Sequence, residues 1–233
     1  MKKAVFIICL MLASATALAT RSVQSFTADY RLLFNGEHVG DARFNLKLST
    51  DNQYSFEAFT LPAGKMAVDN TRHEILEASS GKLQDETPVP DYYYTAVRTS
   101  EGTDMLEFFY DWQTMVLTRK NGKGQQETEL KIRSQDKLSY LLSAMKLADN
   151  HKNSIIVPQL TSTDTKLLSI RKKSRRHINT ATGRVLAQEL ELSYGPQQTG
   201  RSLWLSLDHG YLPVLLEQKT DKGIVRMELM QIL

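Results

Sequence analysis

The sequence has almost no cysteine, because Cys9 is the only one among its 233 residues. Beyond residue 9 the chain therefore has no disulfides, no thiol nucleophile and no thiolate metal ligands. A chain of this length can bury roughly 70% of its unfolded surface, which is enough for folding to rely on the hydrophobic core alone.

The first residues have the pattern of a targeting segment. Lys2 and Lys3 precede an apolar run from Ala4 to Leu12, and Ala17-Leu18-Ala19 has the small-x-small form of a cleavage site. This order predicts a secretory signal peptide over residues 1–19, cleaved after Ala19, and hence a periplasmic protein.

The rest of the chain lacks an excess charge of either sign and lacks long hydrophobic runs. Without Lys2 and Lys3, 27 basic residues face 26 acidic ones, a net charge of +1. That balance gives no electrostatic footprint for nucleic acid. No later apolar run approaches the roughly 20 residues that a transmembrane helix needs, so we expect a soluble mature chain without a transmembrane segment.

Motifs that carry catalysis are also missing. There is no G-x-S-x-G nucleophile elbow, no H-E-x-x-H zinc pair and no glycine-rich phosphate loop. The five histidines are scattered, and Asp111 and Asp208 follow apparent strands, where carboxylates commonly bond turn N–H groups. We therefore expect no catalytic residues, no metal, no cofactor and no enzymatic activity.

Alternating apolar residues are abundant. Phe26, Ala28, Tyr30, Leu32 and Phe34 recur with period two, which is typical of a half-buried strand. Similar segments follow at short intervals, divided by turn signals such as Asn35-Gly36, Gly81, Gly102 and His209-Gly210. The pattern predicts a mostly β fold over residues 20–233. We expect one domain with a single curved antiparallel sheet, a barrel or half-barrel, of roughly ten or more strands.

One segment, Ser134 to Asp149, has helical periodicity instead. Its apolar residues Leu138, Leu141, Leu142 and Met145 lie at i, i+3, i+4 and i+7. Ser134 is the expected N-cap. A single amphipathic helix among many strands must cross the sheet or cap its open end to bury its apolar stripe.

Two further clusters have both a functional and a structural interpretation. The basic run Arg171 to His177 could contact anionic lipid headgroups, or it could protect an edge strand from pairing. Tyr92, Tyr93 and Tyr94 could form a stacking platform, but at most two of the three can share one face of a strand.

Four stretches in the same order resemble the exported bacterial family known as domain of unknown function 3108. They are FTADYRLLFNGEHVGDARFNL near the start, YDW at Tyr110 to Trp112, QDKLSYLL at the helix and WLSLDHGYLPVLLEQKTDKG near the end. The resemblance implies a periplasmic β-rich domain and brings no catalytic residues. More loosely, the plan of a helix within strands is similar to the periplasmic lipoprotein carrier and receptor proteins, an analogy of fold and not of function.

Two functional hypotheses follow. In the first, the protein is a binding or carrier module for a lipid or acyl chain and contributes to maintenance of the cell envelope. In the second, it is a structural protein that docks an envelope protein through exposed strands and loops. The residues expected to line an apolar cavity in the first case are Leu138, Leu141, Leu142, Met145, Phe44, Phe56 and Trp204. The alternative for the helical residues is a filled core.

Overall fold

The computed structural model describes residues 23–63, 74–85, 87–195 and 200–233. The expected signal peptide at residues 1–19 lies outside these ranges, and so do residues 64–70, for which the sequence allows either a loop or a short strand. Within them, no helix is long and apolar enough to span a bilayer.

The described residues form fourteen strands and one helix. The strands before the helix are β1 (Phe26–Phe34), β2 (Glu37–Leu48), β3 (Gln53–Pro62), β4 (Glu74–Gln84), β5 (Thr87–Thr99), β6 (Gly102–Asp111), β7 (Val116–Asn121) and β8 (Gly124–Glu129). The helix is α1 (Ser139–Asp149). After it come β9 (Ser154–Leu160), β10 (Thr165–Thr180), β11 (Gly183–Ser193), β12 (Arg201–Ser206), β13 (Pro213–Thr220) and β14 (Gly223–Ile232).

All fourteen strands belong to one sheet, in the order β8-β7-β6-β5-β4-β3-β2-β1-β14-β13-β12-β11-β10-β9. Each strand pairs antiparallel with its neighbours, and the first and last strands of the chain pair with each other in the middle. The two ends of the sheet, β8 and β9, do not pair, so the sheet curls without closing. The predicted fold class is thereby confirmed.

Local turn chemistry sets the register at several hairpins. Asn35 and Gly36 have φ angles of 51° and 85°, the two positive values that a tight two-residue hairpin demands. At the last predicted turn, Gly210 has a φ angle of 58°, and Pro213 is the first residue of β13, where its missing N–H costs little.

Two predicted boundaries are wrong. Gly81 is not a turn, because it lies inside β4 beside a bulge, where an added Cβ would come within 2.2 Å of the Val89 carbonyl oxygen. Close approach of two backbones explains this glycine. The sequence pattern predicts a strand from Glu127 to Ile132, but the strand ends at Glu129, and Ile132 is exposed.

The inner face of the sheet combines large and small side chains. Phe44 on β2 lies between Ala28 on β1 and Ala58 on β3. Tyr30 on β1 lies opposite Ala42 on β2. All five are buried, so the aromatic rings occupy space that the small alanine side chains leave.

Helix α1 starts five residues later than the sequence indicates. Ser134 is not the N-cap, because its hydroxyl donates to the carbonyl of Lys131 at 2.7 Å. Asp136 satisfies the free N–H groups instead, with Oδ1 accepting from the backbone of Leu138 at 2.9 Å and of Ser139 at 2.8 Å. The Ser139 hydroxyl accepts in turn from the Asp136 N–H at 2.8 Å. A reciprocal pair of this kind anchors the first turn.

The helix lies within the curve of the sheet and contacts β5, β9 and β11. Leu142 and Met145 are fully buried, and so are the polar side chains of Ser139 and Ser143 to within a few per cent. The helix is therefore enclosed on nearly all sides rather than laid across a surface.

Gln135, just before the helix, connects two separate strands of the curved sheet. Its N–H donates to the Pro158 carbonyl at 2.8 Å, and its carbonyl accepts from Leu160 N–H at 2.7 Å. Its side-chain amide donates to the carbonyl of Pro88, on β5, at 2.8 Å. The edge strand β9 is thus tied to β5 across the interior without a strand-to-strand ladder.

Candidate functional site

A cavity of about 360 Å³ lies at the N-terminal end of α1, inside the curve of the sheet. Its walls are Phe44, Glu77, Tyr93, Leu106, Phe108, Lys137, Leu138, Tyr140, Leu141, Gln159, Leu160, Thr161, Ser162, Tyr194, Arg201, Leu216 and Met227. They come from both halves of the sheet, from the helix and from the loop after β9. The volume is within the range of roughly 300–1,000 Å³ that small-molecule sites occupy.

Three of the residues that we predicted to line a cavity do so. Leu138 and Leu141 contribute from the first turn of the helix, and Phe44 contributes from β2. Leu142 and Met145, on the same helical stripe, are fully buried and are not part of the cavity wall. The stripe therefore serves both as cavity wall and as packed core, depending on the residue.

Two predicted wall residues lie elsewhere. Phe56 is fully buried behind Phe44, with ring centroids 5.8 Å apart in an edge-to-face arrangement. Trp204 is adjacent to Leu203 on β12, and the alternation of the strand places it on the face opposite that of Arg201. The guanidinium of Arg176 lies over the Trp204 ring, 4.9 Å from its centroid.

Charged and polar groups in the cavity wall were not predicted. Glu77 on β4 accepts a hydrogen bond of 2.6 Å from the Tyr93 hydroxyl and lies 3.6 Å from the ammonium of Lys137. Arg201 comes from the start of β12, on the other side of the cavity. Strand alternation alone does not reveal these residues, since each is a common surface residue type.

A buried polar network lies next to the cavity. Besides the two helix N–H groups, Asp136 accepts hydrogen bonds from the Ser79 hydroxyl at 2.8 Å and from the Tyr110 hydroxyl at 3.3 Å. The Tyr54 hydroxyl lies 3.1 Å from Ser79 Oγ and extends the network. Four donors converge on one carboxylate that is completely buried, so Asp136 joins the helix start to the inner face of the sheet.

Burial dominates the ionisation of this network. It raises the pKa of the Asp136 carboxyl above its usual range, although hydrogen bonds with Ser139, Ser79 and Leu138 act in the opposite direction. Burial also raises the pKa values of Tyr54, Tyr110 and Tyr93, and the nearby carboxylates add to the effect. These phenols stay neutral as hydrogen-bond donors at physiological pH.

The tyrosine cluster on β5 divides between the two faces. Tyr93 faces inward and lines the cavity, whereas Tyr92 and Tyr94 stack on each other with ring centroids 6.0 Å apart. Tyr92 also donates to Glu107 at 2.7 Å. Only Tyr93 can therefore take part in an interior site.

The basic run lies on β10, away from the cavity wall. Residues of β10 after Arg171 do not pair with β9, so from Lys172 onward β10 is an edge strand of the sheet. Lys173 lies 3.7 Å from Glu191, which also pairs with Arg171, and Arg175 donates to Gln188 at 3.0 Å. Much of the positive charge is thus used in contacts within the protein.

The described residues contain no cluster of three or more histidine, cysteine, aspartate or glutamate side chains that could hold a metal ion. Asp111 accepts N–H groups from Gln113 and Thr114, both at 2.9 Å, as expected for a turn. The chemistry that the cavity offers is apolar contact, several hydroxyls, two cations and one carboxylate.

Comparison with known proteins identifies a structure of similar fold and the family of this chain. A structure titled a beta-barrel-like protein of domain of unknown function DUF1849 from Brucella abortus is similar, with a TM-score of 0.59 and 8% sequence identity. The similarity covers 91% of this chain and 98% of that one, and at such low identity it concerns the fold alone. No curated protein matches the sequence. The family model described as protein of unknown function (DUF3108) matches residues 25–230, so the chain belongs to this family.

Proposed function

We propose that this protein is a non-enzymatic periplasmic binding or carrier module for an apolar, lipid-like ligand, and that it contributes to maintenance of the cell envelope. The observation that carries the proposal is the cavity of about 360 Å³ at the start of α1. The expected export signal at residues 1–19 supports the location.

The wall of the cavity suits an alkyl chain. Phe44, Leu141 and Met227 represent its three sources, namely β2, the helix and β14. The apolar part of the wall offers a water molecule few of the two to four polar partners that it needs. The volume of about 360 Å³ is near the lower end of the range for small-molecule sites, and a ligand with one alkyl chain matches that size.

A second candidate function is docking of an envelope protein along the edge strand β9. Ile156 on β9 and Leu167 on β10 are 64% and 60% exposed. Their register places them on the same outer face. An exposed edge with apolar side chains can accept an added strand from a partner.

Titration with an apolar fluorescent probe such as N-phenyl-1-naphthylamine separates the two functions. We expect the parent protein to bind one probe molecule, and we expect Ile156→Asp, on the outer surface, to bind it equally well. Saturable binding that disappears in Ile156→Asp would assign the apolar site to the edge strand. Absence of saturable binding in the parent would contradict the carrier proposal.

A further inference from the structure

We infer that the ligand is an anionic amphiphile with a single alkyl chain, and that Arg201 binds its carboxylate or phosphate headgroup. This inference rests on the proposed function and specifies the chemical class of the ligand. It depends on how Arg201 is held and on the charges around the cavity.

Arg201 is half-buried in the cavity wall, and no carboxylate of the described residues pairs with it. The backbone of this residue is fixed in β12 by pairing with Leu192 and Gln218 on the adjacent strands. The guanidinium carbon lies 5.9 Å from the centroid of the Tyr140 ring, and the Tyr194 hydroxyl is its hydrogen-bond neighbour. Its Nε is buried, and no hydrogen-bond acceptor for it exists among the described residues.

The residues around Arg201 fix the position of its guanidinium but do not neutralise its charge. The Tyr194 hydroxyl donates to Gln159 Oε1, which holds the phenol in place as an acceptor for Arg201. The guanidinium carbon lies over the Tyr140 ring, which carries no net charge. A buried cation without a counter-ion is costly, and an anion in the cavity would remove that cost.

The charge balance of the cavity also favours an anion. The wall contains two cations, Arg201 and Lys137, and one carboxylate, Glu77, so its net charge is one positive. Glu77 is already engaged by Lys137 at 3.6 Å and by Tyr93 at 2.6 Å. Within the described part of the chain, the positive charge of the wall left without an ionic partner is that of Arg201.

The apolar part of the cavity supplies the second half of the ligand. Leu216 and Met227 come from β13 and β14, close to Arg201 in the order of the sheet, and Phe44 and Leu141 complete the wall beyond them. A guanidinium fork binds a carboxylate or a phosphate through two parallel hydrogen bonds. A ligand with its headgroup at Arg201 and its alkyl chain along this apolar wall therefore fits both the charged and the apolar part of the cavity.

Paired probes test the inference. The first is cis-parinaric acid, a fluorescent fatty acid, and the second is its methyl ester, which has the same chain and no charge. We expect the parent to bind the acid more tightly than the ester. In Arg201→Gln the affinity for the acid should fall about tenfold to a hundredfold, as for loss of a charged hydrogen bond, while affinity for the ester stays within about twofold.

Arg98→Gln is the matched control, because Arg98 is an exposed arginine outside the cavity wall and its loss changes the net charge equally. Binding of the acid should be unchanged in this variant. Displacement of the bound acid by a monoacyl phosphate, and not by inorganic phosphate, would show that charge and chain are both required. Displacement by inorganic phosphate alone would identify a simple anion site and overturn the amphiphile.

The outcomes separate this inference from the proposed function. Parent protein that binds neither probe contradicts both. Parent protein that binds acid and ester equally, or a fall in Arg201→Gln that is the same for both probes, overturns the headgroup assignment and leaves the apolar carrier intact. The acid-to-ester ratio of the parent needs no variant, so misfolding of Arg201→Gln would not prevent the test.

Discussion

Two adjacent leucines of α1 permit a stringent test of the cavity. Leu141 is 4% exposed and lines it, whereas Leu142 is fully buried and does not. Replacement of either by tryptophan adds the same bulk to the same helix. In Leu142→Trp the indole has no space, and overpacking should cost about 1–3 kcal/mol of unfolding free energy. For a chain of this size each 1 kcal/mol lowers the melting temperature by about 2–4 °C, so the expected fall is roughly 2–12 °C.

Leu141→Trp should behave differently, because the cavity of about 360 Å³ can accept the indole. We expect its melting temperature to stay within about 2 °C of the parent, below the overpacking range. Binding of the apolar probe should be strongly reduced, because the indole occupies the ligand space. Thermal unfolding and probe titration are to be measured on all three proteins. Equal destabilisation by both tryptophans, with probe binding unaffected by Leu141→Trp, would refute the assignment of Leu141 to an open cavity.

Three further predictions concern stability. Asp136→Ala should lower the unfolding free energy by about 1–3 kcal/mol, since it leaves buried N–H and hydroxyl donors without an acceptor. Burial raises the pKa of Asp136, so its contribution to stability is present below the unfolded pKa of about 3.9 and is lost as pH rises through the folded pKa. Asp136→Asn removes this titration, so the melting temperature of this variant relative to the parent should rise as pH increases above about 4; a difference that stays constant with pH would contradict the sign. Phe56→Ala should cost about 3–5 kcal/mol in chemical denaturation without abolishing probe binding, because Phe56 is buried core and not cavity wall; loss of binding in a folded variant would contradict that placement.

Much of the sheet could be predicted because its signals are local. Alternation around Tyr30 and Phe44 marks the inner face, and Asn35-Gly36 marks its hairpin through backbone geometry alone. The N-cap could not be found in this way. Ser134 is as good a local candidate as Asp136, and the choice depends on Ser79 and Tyr110, which are 57 and 26 residues away in the chain.

The candidate site was harder to predict than the fold. Periodicity groups Leu141 with Leu142 and Met145, but only three-dimensional packing decides which of them borders empty space. Trp204 is buried like a core residue, yet the strand places it on the face opposite that of Arg201. Arg201 is a candidate ligand-binding residue because Tyr140 and Tyr194 lie beside it. This arrangement exists only in the folded sheet, so the sequence alone does not reveal it.

The most direct measurement of the central claim is mass spectrometry of lipids that accompany the protein when it is isolated from the periplasm without detergent. The account predicts about one single-chain anionic amphiphile for each protein molecule, and its loss or marked reduction in Leu141→Trp. Protein that emerges free of lipid, and that takes up no apolar probe in solution, would contradict the carrier function and leave docking through the edge strand as the remaining explanation.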